Sequence, residues 1–287
     1  MKLKELYRNI RGRRFKYKIN VKSNYETVKF ILNTSASVIR LGDGEFDIMR
    51  GKSIPYQKYD KVLANRLKKI VLTPSNSGLI ICLPDIFKNI NRYTKKCRSF
   101  YNEYFFYQNR SILSEIERTN NWYGSTFISR PYIDLKDKSN VDTYFKELKQ
   151  IWEKKELLII EGKYTRSGEG NDLFSNASSI SRIVCPSKDA FSKIDLIEDA
   201  IKRNCTNKLV LLMLGPTAKL IVDDFKDFSN QFIDLGHIDS EYEWFKMGTS
   251  DKVKIPHKHT AEFNNADDQV DLIKDSKYNN EIIEVIE

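Results

Sequence analysis

Val38-Ile39-Arg40-Leu41-Gly42-Asp43-Gly44-Glu45-Phe46 runs a mostly apolar segment into two glycines that bracket an acid, with a second acid behind them. This is the pattern of a strand that ends in a tight loop with carboxylates at its tip. Gly-Asp-Gly is also an ordinary turn with solvated acids, so the stretch decides nothing alone. Its weight comes from repetition. Gly78 to Leu83 (GLIICL), Glu156 to Gly162 (ELLIIEG), Arg182 to Ser187 (RIVCPS), Lys208 to Leu214 (KLVLLML) and Gln231 to Gly236 (QFIDLG) are also short apolar runs closed by Gly, Pro or a polar residue. Runs that are continuous rather than alternating mark strands covered on both faces, as in parallel sheets. In such sheets ligands bind just outside the carboxyl ends of the strands.

The segments between these runs carry helical spacing. Ser23 caps a helix reaching Thr34, and Tyr56 to Val71 places Leu63, Leu67 and Ile70 on one face. Phe87 to Asn109, Val141 to Lys154, Leu173 to Ser181, Ile194 to Asn204 and the stretch after Ala218 also read as helical, and Phe127 to Tyr132 as extended. The acidic tail from Asn265 leaves apolar positions for a closing helix. With no repeat and no Pro/Gly/Ser linker, the expected fold is α/β: a single Rossmann-like domain with a mostly parallel sheet flanked by helices.

The chain has 287 residues, 40% of them hydrophobic, enough for one large core. No apolar run approaches the ~20 residues that span a bilayer, and the N-terminus lacks the apolar segment of a signal peptide. A cytoplasmic protein is expected. Cys82, Cys97, Cys185 and Cys205 show no metal-ligand spacing and read as buried thiols. The net charge of +9 is unevenly placed. Residues 1–22 hold nine Lys/Arg against Glu5 alone, leaving the body nearly neutral. A basic arm at 1–22 is therefore set apart from a domain at 23–287. The charge does not argue for nucleic acid; the arm suits peripheral contact with an anionic membrane face, or no partner at all.

Several polar turns follow the strands. Gly215, Pro216 and Thr217 lie between a strand and a helix, where free amides and the helix dipole attract phosphate. The loop from Arg166 to Asp172 places Arg166 for a diphosphate, with Asn171 or Asp172 as contacts or caps. Asp239/Glu241 and Asp43/Glu45 are acids two residues apart; in an extended loop each pair points to one side and would share a hard cation. His237 is a further candidate base or ligand. His257-Lys258-His259 reads as a surface loop. No Gly-x-Ser-x-Gly, HExxH or kinase motif set is present.

Six blocks in order, over roughly residues 23–265, carry a resemblance. They are Arg40 to Glu45 (RLGDGE), Ile128 to Tyr132 (ISRPY), Ile160 to Gly162 with Arg166 and Gly170 to Phe174 (GNDLF), Arg182 to Ser187 (RIVCPS), Leu214 to Ala218 (LGPTA) and Gly236 to Trp244 (GHIDSEYEW). The chain resembles the GT-D-type glycosyltransferases, which extend O-glycans on serine-rich-repeat adhesins of Gram-positive bacteria. The resemblance implies a Rossmann-like sheet, a nucleotide-sugar donor such as UDP-glucose, a glycan or glycoprotein acceptor, and a divalent cation (Mn²⁺ or Mg²⁺) held by an Asp-x-Glu motif. Of the two such pairs, Asp239/Glu241 is favoured for the metal. Gly42, Asp43 and Gly44 then join Gly215, Pro216, Thr217 and the Arg166 loop as donor contacts. Glu45, Glu243 and Asp43 are the candidate catalytic carboxylates. The alternative is a non-catalytic nucleotide-sugar or glycan-binding partner subunit. The basic arm is no part of the family pattern, and a stand-alone transferase is expected.

Overall fold

The computed structural model describes residues 17–260, 263 and 275–287. Among them are nine strands: β1 (Asn20–Val21), β2 (Ser37–Arg40), β3 (Leu79–Leu83), β4 (Trp122–Ser125), β5 (Glu156–Gly162), β6 (Ser179–Cys185), β7 (Leu209–Met213), β8 (Phe232–Asp234) and β9 (Ile282–Val285). They form one sheet in the order β1-β4-β3-β2-β8-β7-β5-β6-β9. Every pairing is parallel.

The continuous apolar runs are explained by the two cores. Ile39, Ile81, Leu158, Ile160, Val210 and Leu212 face one side. Their neighbours Val38, Ile80, Leu157, Ile159, Leu209 and Leu211 face the other. All twelve are buried, and each contributes about 1.5–3 kcal/mol by leaving water. Helices cover both faces. Ser23 and Glu26 form a capping box on the Asn24–Thr34 helix, and Asp60 accepts from Val62 and Leu63 to start the Lys61–Leu72 helix. No helix among the described residues is long and apolar enough to cross a membrane.

The structure departs from the sequence reading at five places. Asp43–Met49 is a short helix, so Asp43 and Glu45 sit in a first turn and not on a loop. Leu173 to Ser178 makes turns, not a helix, before β6 opens at Ser179. The extended segment lies earlier than expected: β4 ends at Ser125, and Thr126–Ser129 is a 3₁₀ turn. Gly124 hides that strand, because a Cβ there would fall 2.7 Å from Cys82 Sγ. Asn20–Val21, which the reading left in the arm, pairs with Trp122 and Tyr123, and Ile19 and Val21 are buried. The rest of the arm, residues 1–16, lies outside the described residues. The tail is a short helix, Ser276–Glu281, followed by β9 against β6. The stretch 264–274, where the closing helix was expected to begin, also lies outside them.

The strand order reverses at β2. The chain runs from β2 to β3 and β4 on one side, then returns to build β5 to β8 on the other, so that β8 closes against β2. A crevice at the carboxyl ends of β2 and β8 follows from this topology.

Candidate functional site

A pocket opens at that point, and most of its lining comes from the carboxyl ends of strands. Gly42 to Glu45 follow β2; Thr126, Phe127 and Arg130 follow β4; Gly162 ends β5 and Thr165 follows it. Pro186 and Ser187 follow β6, Leu214 to Pro216 follow β7, and Gly236 to Ser240 follow β8. The cavity measures about 140 Å³. That is below the ~300–1,000 Å³ of most small-molecule sites.

The floor is a chain of buried charges. Arg40 Nε donates to the Asp234 carbonyl at 2.8 Å, and Arg40 Nη2 lies 3.2 Å from Asp234 Oδ1. Asp234 Oδ2 lies 3.0 Å from Lys219 Nζ, which is 3.2 Å from Glu45 Oε1. Glu45 Oε2 accepts from the Gly42 amide at 2.7 Å. Burial pushes the Asp234 carboxyl up, but Arg40 and Lys219 outweigh it and hold the group below its ordinary range. Gly236 makes this geometry possible. It has φ +49, and a Cβ there would fall 2.0 Å from Arg40 Nη2.

The Gly215–Asp224 helix begins on the pocket wall. Gly215 has φ +51, Pro216 is in the first turn, and no side chain caps the end. Its amides are therefore available to an anion. The Tyr56 ring lies against Gly215, 3.1 Å from where a Cβ would stand. Thr217, expected to add a hydroxyl donor, is fully buried with its Oγ1 unpartnered and does not line the pocket.

The other predicted residues divide sharply. Asp43 lines the pocket and has no hydrogen bond or ion pair among the described residues. Glu45 is held by Lys219 and Gly42. Asp239 also lines the pocket, but its Oδ1 accepts from the Gly168 amide at 2.7 Å and from Asn171 at 2.9 Å, and its Oδ2 from Lys258 at 2.9 Å. Glu241 turns elsewhere: its Oε2 accepts from the Tyr132 and Ile133 amides, each at 3.1 Å, and Arg130 Nε lies 3.7 Å from its Oε1. Glu243 Oε1 accepts from Asn171 at 2.7 Å and from Lys258 at 3.0 Å. Arg166 does not face the pocket; it grips Glu169 and lies over the Tyr278 ring, 4.1 Å from its centroid. Asp172 is bound by Tyr242 at 2.9 Å and by Lys149 and Lys246, away from the pocket. Arg166, Asn171 and Asp172 therefore hold the wall around Asp239 and the neighbouring turns.

The family model for the glycosyltransferase GT-D fold matches residues 38–263, from β2 to beyond the Ile238–Met247 helix that follows β8. The chain belongs to the GT-D glycosyltransferases. A probable glycosyl transferase, Gly, of Streptococcus gordonii is 48% identical over 265 residues, covering 92% of this chain and 38% of that protein. Glycosyltransferase GlyD of Streptococcus pneumoniae serotype 4 is 45% identical over 270 residues, covering 92% of this chain and 32% of its own length. The GT-D chain thus spans about a third of the length of these curated relatives. A solved structure described as a new glycosyltransferase (DUF1792) from Streptococcus sanguinis superposes with a TM-score of 0.91 at 46% identity, covering 94% of this chain and 100% of that one. Another, described as showing that this domain has a distinct glycosyltransferase fold, gives 0.87 at 48%, with 99% and 100% covered.

The GT-D resemblance carries a cation with it, and the acids can be tested for the fit. The expectation of an extended Asp-x-Glu loop does not hold, since Asp239 and Glu241 lie in the first turn of the Ile238–Met247 helix. Two helical positions are ~200° apart around the axis, so these carboxylates leave on opposite bearings. Both oxygens of Asp239 and one of Glu241 are already bound within the protein. No group of three or more His, Cys, Asp or Glu that would hold a metal occurs among the described residues. The pair does not fit a shared cation in this arrangement.

Arg130, which lines the pocket after β4, was read as part of an extended segment and not as a site residue, and three further residues at the candidate site also escaped the sequence reading. Lys219 looks like any helix lysine, yet it is buried. Lys258, assigned to a surface loop, is also buried; burial pushes it toward neutrality, but Asp239 and Glu243 outweigh that and keep it charged. His259, beside it, lines the pocket. The signal for all three is tertiary, because their partners come from other elements.

Proposed function

We propose that this chain moves a sugar from a nucleotide-diphosphate donor, a UDP-hexose, to a hydroxyl of a glycan or glycoprotein. The observation that carries this reading is the meeting of an uncapped helix start, Gly215–Pro216, with Asp43 in one pocket at the switch point of the sheet. The helix amides and Arg130 meet the diphosphate, and they oppose the charge that grows on it as the sugar–oxygen bond breaks. The acceptor hydroxyl attacks the anomeric carbon, and Asp43 takes its proton. Glu45 and Glu243 are less suited to that role, since Lys219 holds one and Asn171 with Lys258 the other. We propose divalent-cation dependence as well, as the family resemblance implies, with the ion not held by Asp239 and Glu241 in their present arrangement.

The test is thermal stability against a panel of nucleotides and nucleotide sugars, with and without Mn²⁺. UDP at about 100 times its dissociation constant is expected to stabilise the fold by ~2.7 kcal/mol. Asp43→Asn is expected to keep that shift and lose roughly 100-fold or more in transfer rate. No shift with any nucleotide would overturn the donor assignment, and full activity in Asp43→Asn would overturn the role of Asp43. Donor consumed without acceptor as fast as with it would make the protein a hydrolase.

A further inference from the structure

A second cavity opens on the same carboxyl edge of the sheet, beside strands that the donor pocket uses less. Ser23 to Tyr25, after β1, Arg92, after β3, and Pro131, after β4, form part of its wall. Asn140 and Val141, where the Val141–Lys149 helix begins, close the far side. It measures about 390 Å³, within the usual range for a small-molecule site. The segment after β4 separates the two cavities: Arg130 lines the donor pocket and the next residue, Pro131, lines this one. Glu241 pins the same segment through the Tyr132 and Ile133 amides.

We propose that this cavity holds a sugar unit of the acceptor, a deduction that rests on the transferase reading above. The lining selects the ligand class. Tyr25, Pro131, Leu135 and Val141 offer an apolar wall, with the Tyr25 ring 37% exposed and set edge-on to Tyr144 at 5.1 Å. The Asn140 side-chain amide has no partner among the described residues. Asp137 uses one oxygen on the Ser139 amide, and Arg92 Nε is buried without a partner. Arg92 is paired with Asp85 and bonds Tyr93, while Lys136 donates to the Asn91 carbonyl at 2.6 Å and shares the cavity wall with Asp137, an acid of opposite charge. With Asp85 set against Arg92 and Asp137 against Lys136, the described lining has no net positive charge to offer a phosphate. A neutral ring with an apolar face and several hydroxyls meets both the wall and the open donors and acceptors.

The test follows binding of glucose, N-acetylglucosamine, lactose and, as counter-probe, inorganic phosphate by ligand-observed NMR. The full chain is compared with Asn140→Ala and Tyr25→Ala. The Asn140 side chain caps no helix amide, so Asn140→Ala is expected to melt with the parent protein. At least one sugar is expected to bind the parent and to lose about tenfold in affinity in Asn140→Ala, the effect of one hydrogen bond, with UDP affinity unchanged. Binding of no sugar, equal binding to all three proteins, or preference for phosphate would overturn the proposal. A parent protein that binds sugar but not UDP would overturn the donor assignment instead, so the two failures are distinguishable.

Discussion

Glu241 is a carboxyl whose work lies in a neighbouring segment. It was expected to hold a cation, and it instead accepts two consecutive backbone amides of the turn that presents Arg130. Burial pushes its carboxyl up; Arg130 and the Ile133 amide pull the other way, and the balance lies at about 7 against an ordinary 4.5. A raised carboxyl means that the folded chain binds its proton more tightly than the unfolded chain. Its stabilising contribution is complete below pH 4.5 and is lost as pH rises through 7. Glu241→Gln cannot titrate. Relative to the parent, it is expected to gain roughly 3 kcal/mol in urea unfolding between those limits. A difference that stays flat with pH would show that Arg130 already holds the carboxylate charged at the lower limit.

At the scale of the element, the Ile238–Met247 helix sends acids at alternate positions to different neighbours: Asp239 to the Gly168 turn, Glu241 to the segment after β4, and Glu243 back to Asn171 and Lys258. Lys258 fastens the first and third of these. Lys258→Met leaves two carboxylates without their cation, and is expected to cost about 3–5 kcal/mol, read as a lower urea midpoint. Adding Asp239→Asn should recover part of the loss; no recovery would point to damage unrelated to charge. This arrangement also shows what sequence can and cannot disclose. β2, β5 and β7 are legible because a strand covered on both faces must be apolar at every position. The turn at Gly215 is legible because glycine and proline announce a backbone. β1 and β9 are not, since two to four edge residues need only one partner. Lys258 cannot be read either, because its partners stand 15 and 19 residues earlier on another element. Asp43 was visible as a carboxylate, but not as a pocket acid without a hydrogen bond or ion pair among the described residues.

On the scale of the whole molecule, the excess charge belongs to one end. Residues 1–16 carry seven Lys/Arg against Glu5, and β1 begins only at Asn20. A truncation that removes residues 1–16 therefore spares the sheet. If the arm meets an anionic membrane face, at ~1 kcal/mol per basic residue near the surface, this truncation should weaken binding to phosphatidylserine vesicles in a co-sedimentation assay. Unchanged binding would remove that role. The middle of the sheet has a different consequence. Val38 of β2 pairs with Ile233 of β8, and Arg40 meets Asp234 across 194 residues of chain. Contacts so remote in sequence raise the contact order and slow folding, since loop-closure entropy is lost before they form. During synthesis, β2 to β4 wait with an open central edge until β8 has left the ribosome, and such an edge invites mispairing. The pocket at the switch point cannot exist until β8 joins β2: neither half of the sheet, expressed alone, would carry it.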